Sequence, residues 1–243
     1  FIITMEATAA GAFDIALYEW SAVMATGETS THDLEPALQA QTRGDTACLI
    51  YTSGTGGNPK GVMLSHAAVM SNCMGARELL RQLGLGDEVF LSFLPLSHAY
   101  EHTAGLYFPI SIKAQIYYAE SVETLSANLV EVRPTIMVSV PRLYEVMHRR
   151  ITLGLKRQSK IKQHLFAKAV ALGRKHYENP GSLGLVQGAL NRVLEGVVRD
   201  KVRARFGGRL KAMVSGGAPL NFEVGVFFTA LGVRLLQGYG QTE

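Results

Sequence analysis

The feature that most constrains the fold is the alternation of short apolar runs with segments of helical periodicity. Such runs lie at 88–93, 114–119, 135–140, 210–214 and 233–237, and helical patterns occupy 121–133 and 221–231. Nearly unbroken apolar runs rich in β-branched residues are typical of parallel strands that are covered on both faces. Their alternation with helices indicates βαβ units. The sequence therefore predicts an α/β fold with mainly parallel sheets and flanking helices.

A loop at 51–62 is dense in glycine and hydroxyl residues and contains one lysine, Lys60. It follows an apolar run, 47–51, that predicts a buried strand, and it precedes a helical segment from Ser65 to 83, before Gly84. Glycines let backbone N–H groups approach an anion, hydroxyls donate hydrogen bonds, and lysine supplies positive charge. This pattern predicts a phosphate-binding loop, with a flexible surface turn as the alternative.

Pro59 excludes the two commonest phosphate-binding patterns at this loop. The Walker A sequence requires a glycine immediately before the lysine, and Pro59 stands there. The dinucleotide fingerprint requires a third glycine at the same position. The loop therefore belongs to some other class of phosphate site.

Two glycine-containing stretches near the end of the chain also follow predicted strands. The small residues of 215–219 (Ser-Gly-Gly-Ala-Pro) would let the backbone approach a flat ligand, although a plain strand-to-helix turn is an equal alternative. In 238–243, Tyr239 lies between two glycines and can stack on a base, Thr242 can reach a phosphate, and Glu243 is an oxygen donor suited to Mg²⁺. The alternative for this stretch is a polar loop.

Composition and charge describe an ordinary globular chain with one basic region. The 243 residues are 47% hydrophobic and 18% charged, and two cysteines imply no disulfide framework, which fits a reducing, cytoplasmic compartment. No apolar run is long enough for a transmembrane helix, and no signal peptide is visible. The net charge is +4, but 142–177 alone holds ten Lys or Arg and one acid, Glu145.

The basic region 142–177 has three interpretations. It can be a solvated helical face, or it can be a peripheral contact with the inner face of an anionic membrane. Nucleic-acid binding is the least favoured, because Tyr144, Phe166 and Tyr177 form no stacking platform. We therefore expect no nucleic-acid partner.

Several motifs, in order along the chain, resemble those of the adenylate-forming (AMP-binding) enzyme superfamily. They are 51–62, 215–219 and 238–243, with one departure: Gly56 stands where the family usually has a second threonine. The run 94–102, with His98 and Glu101, and the run 141–145 look most like the long-chain fatty acyl-CoA synthetase branch. The resemblance implies part of the large N-terminal domain of such an enzyme.

The resemblance also implies which residues hold ATP and Mg²⁺. The phosphates would lie on the loop, adenine on the turn after 215 and beside Tyr239, and Mg²⁺ at Thr52 and Glu243. The implied nucleotide-binding residues are Thr52, Ser53, Gly54, Thr55, Gly56, Gly57, Lys60, Gly216, Gly217, Ala218, Pro219, Gln237, Gly238, Tyr239, Gly240 and Thr242. The implied catalytic residues are Lys60, His98, Thr242 and Glu243.

The implied function is ATP-dependent activation of a long-chain fatty acid to acyl-adenylate, followed by transfer to coenzyme A. Two alternatives remain: a ligase that passes the acyl group to a carrier-protein thiol, and a non-catalytic nucleotide-binding fragment. We expect four regions: 1–45 continuous with the core, a phosphate-loop core at 46–141, a helical basic insertion at 142–206, and an adenine and metal segment at 207–243. We also expect the family's C-terminal lid domain to be absent and the isolated chain to turn over poorly. Oligomeric state stays open.

Overall fold

The computed structural model describes residues 1–5, 15–53 and 57–243. The chain divides into two compact units, Phe1–Thr42 and Arg43–Glu243. In the first unit, strand β1 (Ile2–Thr4) pairs in parallel with β2 (Leu17–Glu19) and is followed by helices α1 (Trp20–Glu28) and α2 (Glu35–Ala40). None of the described residues in this unit is buried.

The sequence of 14–24 also predicts a helix, and this prediction is wrong for the strand residues Leu17–Glu19. Residues Leu17–Glu19 form β2, which pairs with β1 through Ile2 opposite Leu17, and the helix begins only at Trp20. Asp14 lies outside the described residues. Backbone pairing with β1 therefore outweighs the helical spacing of the side chains in this stretch.

The second unit contains all the remaining elements. The strands are β3 (Thr46–Thr52), β4 (Lys60–Ser65), β5 (Val89–Ser92), β6 (Gln115–Tyr118), β7 (Ile136–Ser139), β8 (Ala212–Ser215) and β9 (Leu235–Gln237). The helices are α3 (His66–Leu80), α4 (Ala99–Glu101), α5 (Phe108–Ser111), α6 (Leu125–Val132), α7 (Pro141–Lys156), α8 (Lys160–Glu178), α9 (Leu185–Leu194), α10 (Asp200–Arg205) and α11 (Phe222–Ala230). Two segments, His102–Tyr107 and Glu195–Arg199, are π-helical.

The main sheet has five parallel strands in the order β6-β5-β7-β8-β9. All residues of β5 and β7 are buried, and alternate side chains enter cores on opposite faces. Leu91 and Met137 pack with Phe228 of α11, whereas Phe90 and Ile136 pack with Val69 of α3. This arrangement confirms the predicted α/β fold with a mainly parallel sheet and flanking helices.

Strands β3 and β4 form a separate antiparallel hairpin that carries the glycine-rich loop. Helix α3 follows directly, and the Ser65 hydroxyl caps it by accepting from the Ala68 N–H at 3.2 Å. The predicted burial of 47–51 is wrong. Only Ile50 is buried, while Leu49 and Tyr51 are 56% and 71% exposed, because β3 pairs only with β4 and alternate side chains face solvent.

Helices α7 to α10 form the long connection between β7 and β8. Residues 142–206 are mainly helical, and residues 179–184 lie between α8 and α9. Within the described part of the chain, no helix is both long and apolar enough to cross a bilayer.

Candidate active site

The carboxyl ends of three adjacent strands each terminate in a buried serine. Ser92, Ser139 and Ser215 are the last residues of β5, β7 and β8, and each is 2% exposed or less. The chain runs from β5 to β6 on one side and then returns to β7 on the other side of β5. In open parallel sheets, ligands bind in the crevice at such a switch of direction, beyond the carboxyl ends of the strands. This edge is therefore the candidate site.

The first buried polar group at this edge is Glu101. Its Oε1 accepts a hydrogen bond from the Ser92 hydroxyl at 2.5 Å, whereas Oε2 has no hydrogen-bond partner among the described residues. Burial raises the pKa of Glu101 to about 7, although hydrogen bonds from Ser92 and the N–H groups of Phe93 and Leu94 oppose the shift. A carboxyl with this pKa changes charge near neutrality.

Gly105 and the π-helical turn make room for the Glu101 carboxyl. A Cβ atom added at Gly105 would overlap Glu101 Oε1, so any larger residue there would collide with the carboxyl. Gly105 lies in the π-helical segment His102–Tyr107, and π-helical turns inside helices are frequent at functional sites. The local backbone thus leaves room for the buried Glu101 carboxyl, of which only one oxygen has a described hydrogen bond.

Tyr100 connects the segment after β5 to the turn after β8. Its hydroxyl donates to the Val214 carbonyl at 2.9 Å, and a Cβ added at Gly216 would lie 2.7 Å from the Tyr100 ring. Burial raises the pKa of Tyr100, so the phenol stays neutral and remains a donor. The space that Gly216 leaves is therefore filled by this ring, while Gly217, Ala218 and Pro219 are exposed.

Two predicted adenine-binding stretches lie side by side at the ends of β8 and β9. The Gly238 N–H donates to the Ser215 carbonyl at 2.8 Å, and the Gly216 N–H donates to the Ser139 carbonyl at 3.0 Å. Gly217 has φ of +79°, a left-handed conformation that favours glycine. The structure thus brings 216–219 and 237–238 together.

The buried serine hydroxyls at the strand ends differ in whether they form a hydrogen bond. Ser139 donates to the Tyr144 hydroxyl at 2.6 Å, whereas the buried Ser215 hydroxyl has no partner among the described residues. A buried unpaired hydroxyl is uncommon and calls for an explanation, such as a bound ligand or water. The residues Gln237, Gly238, Tyr239 and Gly240, at the end of β9 and after it, are exposed, with Tyr239 at 92%. The segment after β9 therefore exposes an aromatic face that is compatible with stacking on a nucleotide base.

The predicted catalytic residues His98, Thr242 and Glu243 occupy exposed or half-buried positions in the same unit. The Nδ1 of His98 accepts from the Tyr100 N–H at 3.1 Å, so a neutral His98 carries its proton on Nε2. Thr242 and Glu243 lie in an irregular segment after β9. Of these three residues, only His98 is connected to the strand ends by described hydrogen bonds. It accepts from the Tyr100 N–H, and the Tyr100 hydroxyl donates to the Val214 carbonyl of β8.

The predicted phosphate-binding residues lie at the tip of the β3–β4 hairpin. Thr52 ends β3 and pairs with Lys60, which begins β4, while Gly54, Thr55 and Gly56 lie outside the described residues. Gly57 has φ of +91°. No hydrogen bond between described residues links Thr52, Ser53, Gly57 or Lys60 to Ser92, Ser139 or Ser215 at the carboxyl ends of the strands. That the hairpin and these strand ends bind one ligand together stays a prediction.

The predicted metal ligands are Thr52, at the end of β3, and Glu243, in the segment after β9. Among the described residues, no group of three or more His, Cys, Asp or Glu is placed to hold a metal ion. Mg²⁺ is commonly held by one or two carboxylates together with substrate phosphates and water, so Glu243 is compatible with it.

The sequence motifs missed Ser92 and Ser139, and they included Tyr100, in 94–102, and Ser215, in 215–219, without giving either residue a role. One signal was available: a serine stands in the last two positions of two apolar runs and directly after a third. Tyr100 carried no comparable signal, because its role depends on the contact with Gly216, which lies far away along the chain.

Comparison with known proteins shows the family of the chain. The family model described as AMP-binding enzyme matches residues 6–243. The chain is 34% identical to long chain acyl-CoA synthetase 6, peroxisomal, of Arabidopsis thaliana, over 82% of this chain and 27% of that protein. It is 33% identical to long-chain-fatty-acid–CoA ligase ACSBG2 of Homo sapiens, over 93% of this chain and 35% of that protein.

A solved structure shows the same architecture. The adenylation and carrier didomain of a carboxylic acid reductase from Segniliparus rugosus, in complex with AMP, matches with a TM-score of 0.60 and 25% identity, over 93% of this chain and 28% of that one. The fold is thus an α/β core of the kind seen in that didomain. The chain belongs to the AMP-binding enzyme family, and it spans about a third of the length of the curated relatives it matches.

Proposed function

We propose that this protein activates a long-chain fatty acid with ATP and transfers the acyl group to coenzyme A. The observation that carries the proposal is the hydrogen bond from the Gly238 N–H to the Ser215 carbonyl, which joins the segment after β9 to the residue just before the 216–219 turn, in a chain of the AMP-binding family. The relatives named above as acyl-CoA synthetase and ligase support the fatty acid and coenzyme A as substrates.

In the proposed reaction, a carboxylate oxygen of the fatty acid attacks the α-phosphorus of ATP. The bond to the pyrophosphate oxygen breaks, and pyrophosphate leaves with the electron pair. The thiol of coenzyme A then attacks the acyl carbonyl of the adenylate, and AMP leaves. The protein needs no covalent nucleophile for either step, so its contribution is positioning and neutralisation of charge.

Each predicted group has a place in this scheme. Tyr239 stacks on adenine, Gly217 to Pro219 and Gln237 line the base, and Thr242 contacts the α-phosphate. The loop hydroxyls of Thr52, Ser53 and Thr55, with Lys60, hold the phosphates, and His98 lies beside the reacting carboxylate. Magnesium, held by Glu243 and Thr52, supplies further positive charge at the phosphates when bound.

Nucleotide binding is tested with Lys60→Ala. Fluorescent ATP should bind this variant at least about tenfold more weakly, since one charge-assisted contact to phosphate is lost. Lys168→Ala, at an exposed position on α8, removes the same charge away from the loop and should bind ATP normally. Equal affinity in both variants would contradict the phosphate-loop assignment.

The reaction is tested by ATP–pyrophosphate exchange with carboxylic acids of increasing chain length. Because the chain spans about a third of its curated relatives, the assay should use the longest natural form that contains these residues. Exchange should rise with long-chain acids, and Lys60→Ala should lower the rate on the order of 10²–10³-fold. If no fatty acid supports ATP–pyrophosphate exchange, fatty acids are excluded as substrates.

The acceptor of the acyl group has one competing candidate. The AMP-bound reductase structure contains a carrier domain, and this supports an alternative in which the acyl group passes to a carrier-protein thiol. Adding coenzyme A or a phosphopantetheinylated carrier protein to the acyl-adenylate distinguishes the two, because only one thiol should accept the acyl group efficiently.

A further inference from the structure

The single turn of α4 is attached to the main sheet by two side chains that are neighbours in the chain. The Tyr100 hydroxyl donates to the Val214 carbonyl of β8 at 2.9 Å. The Glu101 carboxyl accepts from the Ser92 hydroxyl, at the end of β5, at 2.5 Å. Strand β7 lies between β5 and β8, so the turn spans three strands. A turn held at one point could rotate about it, and the second point removes that freedom.

The attachment through Glu101 consists of hydrogen bonds and contains no cation. Besides the Ser92 hydroxyl, the N–H groups of Phe93 and Leu94 donate to the same carboxyl. The carboxyl is completely buried, and it forms no ion pair with another described residue. Because neutral donors hold it, a neutral side chain of the same shape with one acceptor oxygen can be held in the same way.

The π-helical segment packs closely against the Glu101 side chain. A Cβ added at Gly105 would lie 3.1 Å from Glu101 Cγ and would overlap Oε1. Gly105 is itself buried, and close-packed interiors leave little room for a neighbour to move aside. The position of Glu101 is therefore set by packing as well as by hydrogen bonds.

The same turn determines where the exposed His98 ring lies. The ring Nδ1 accepts from the Tyr100 N–H at 3.1 Å, and the His98 carbonyl accepts from the His102 N–H at 2.9 Å. Both donors are backbone groups that flank Glu101. No other hydrogen bond to the His98 ring is present among the described residues. A change in the orientation of the turn would therefore move the ring.

We propose that Glu101 is a positioning residue that holds the His98 imidazole at the carboxyl ends of the strands, through the turn of α4. The inference rests on the proposed function, which places His98 beside the reacting carboxylate. Because Glu101 is completely buried, it acts through the backbone of the turn and does not touch the substrate. A misplacement of about 1 Å at a reacting group can cost about 10²-fold in rate, so the attachment matters for turnover.

The test compares Glu101→Gln with Glu101→Met in the longest natural form that contains these residues. The assay is ATP–pyrophosphate exchange with a long-chain fatty acid that the unmodified protein uses. Glutamine keeps an acceptor oxygen for Ser92 and should keep the exchange rate. Methionine is similar in length but has no such oxygen, and it should lower kcat on the order of 10- to 100-fold. Fluorescent ATP should bind both variants normally, because Tyr100 still attaches to β8.

The position of His98 is measured separately, by the nitrogen chemical shifts of its ring in nuclear magnetic resonance. In the neutral ring, the hydrogen bond from the Tyr100 N–H keeps the proton on Nε2. Glu101→Met should give a mixture of the two tautomers, and Glu101→Gln should not. This measurement needs no substrate. A protein without exchange activity that shows this pattern would contradict the proposed function and still support the positioning.

Gly105→Ala is a second route to the same displacement, since its methyl group would take the place of Glu101 Oε1. It should lower kcat and mix the His98 tautomers as Glu101→Met does. The matched controls Glu131→Gln and Glu131→Met change an exposed position on α6 and should leave both measurements unchanged. Circular dichroism of every variant verifies that the fold is intact.

Two results would overturn the proposal. If Glu101→Gln loses as much activity as Glu101→Met, the negative charge of the carboxylate is needed and holding the turn is not its role. If Glu101→Met keeps both the exchange rate and the His98 tautomer of the unmodified protein, Glu101 does not position His98.

Discussion

Glu101 illustrates how a single buried carboxyl can link stability to pH at the edge of this sheet. One of its oxygens is hydrogen-bonded to Ser92, and the other has no partner among the described residues. Its pKa is about 7 in the folded protein, against an ordinary value of 4.5. The folded state therefore holds a proton on Glu101 that the unfolded state releases between these pH values.

Stability should fall as the pH rises from 4.5 through 7, because the unfolded state binds fewer protons in that range. Glu101→Gln should remove this dependence and should be more stable than the unmodified protein at pH 8, by at most roughly 3 kcal/mol. Urea unfolding at pH 5 and pH 8 measures the difference.

The control for this prediction is Glu131→Gln, at an exposed position on α6. It should leave the pH dependence of unfolding unchanged. If Glu101→Gln and Glu131→Gln have the same pH profile as the unmodified protein, the titration of Glu101 near neutrality is excluded.

Gly216 is the residue whose size decides whether Tyr100 can connect the two sides of the site. Gly216→Ala would place a methyl group 2.7 Å from the Tyr100 ring. We expect a loss of about 1–3 kcal/mol, the usual cost of overpacking. Gly240→Ala, where nothing lies within 4 Å, should change stability much less, and thermal unfolding compares the two. Equal melting temperatures would contradict the packing described here.

At the scale of elements, the sequence predicted the parts of the fold that are decided locally. The runs at 88–93 and 135–140 are buried on both faces as β5 and β7, and their apolar, β-branched composition is sufficient to indicate this. The strand β2 and the burial of β3 were not predictable in this way. The formation of β2 depends on its pairing with β1, and the exposure of β3 depends on its pairing with β4 alone. A local sequence pattern does not show which strands pair.

The candidate site was predictable to a similar extent. The stretches 215–219 and 238–243 were predicted from local composition, and the structure joins their first residues, Ser215 and Gly238, by a hydrogen bond at the ends of β8 and β9. The contact of Tyr100 with Val214 joins residues 114 positions apart, so no local pattern contains it. The phosphate-binding role of the hairpin loop remains a prediction, because residues 54–56 lie outside the described residues.

The amino ends of the strands β5, β7 and β8 are joined by a buried charge cluster. The residues preceding these strands are Glu88, Thr135 and Lys211, and both Thr135 and Lys211 donate hydrogen bonds to the Glu88 carboxylate. Burial acts to raise the pKa of Glu88, but hydrogen bonds from Lys211, Thr135 and the Gly86 N–H together lower it. The cluster therefore favours a charged carboxylate at a position that is 1% exposed.

Lys211→Met should destabilise the protein by roughly 2–4 kcal/mol, because it leaves the Glu88 carboxylate buried without its cation. Adding Glu88→Gln should recover part of the loss. Since a lowered carboxyl pKa contributes stability only while the group is ionised, the effect of Lys211→Met should shrink as the pH falls below 4.5. Unfolding by urea at pH 7 and pH 4 checks both statements, and a constant difference would contradict the ionic role.

At the scale of the whole molecule, the two units differ in how much they bury. None of the described residues of Phe1–Thr42 is buried, whereas Arg43–Glu243 contains three apolar clusters. Amides of β1, β2 and α1 should therefore exchange with deuterium far faster than those of β5 and β7, since local opening exposes few apolar contacts. Hydrogen exchange with mass spectrometry measures this, and equal protection in the two units would contradict it.

The long connection between β7 and β8 has a consequence for how this fold tolerates change. Ile136 pairs with Ala212 across that connection, whereas Val89 pairs with Gln115 across a much shorter one. Loop-closure entropy grows only with the logarithm of length, so the longer connection costs roughly 1 kcal/mol more. A change in the length of this connection therefore costs little in loop-closure entropy, as long as the buried residues of α8 and α9 keep their packing. The helical connection can thus vary in length while the sheet and the candidate site at the carboxyl ends of its strands stay the same.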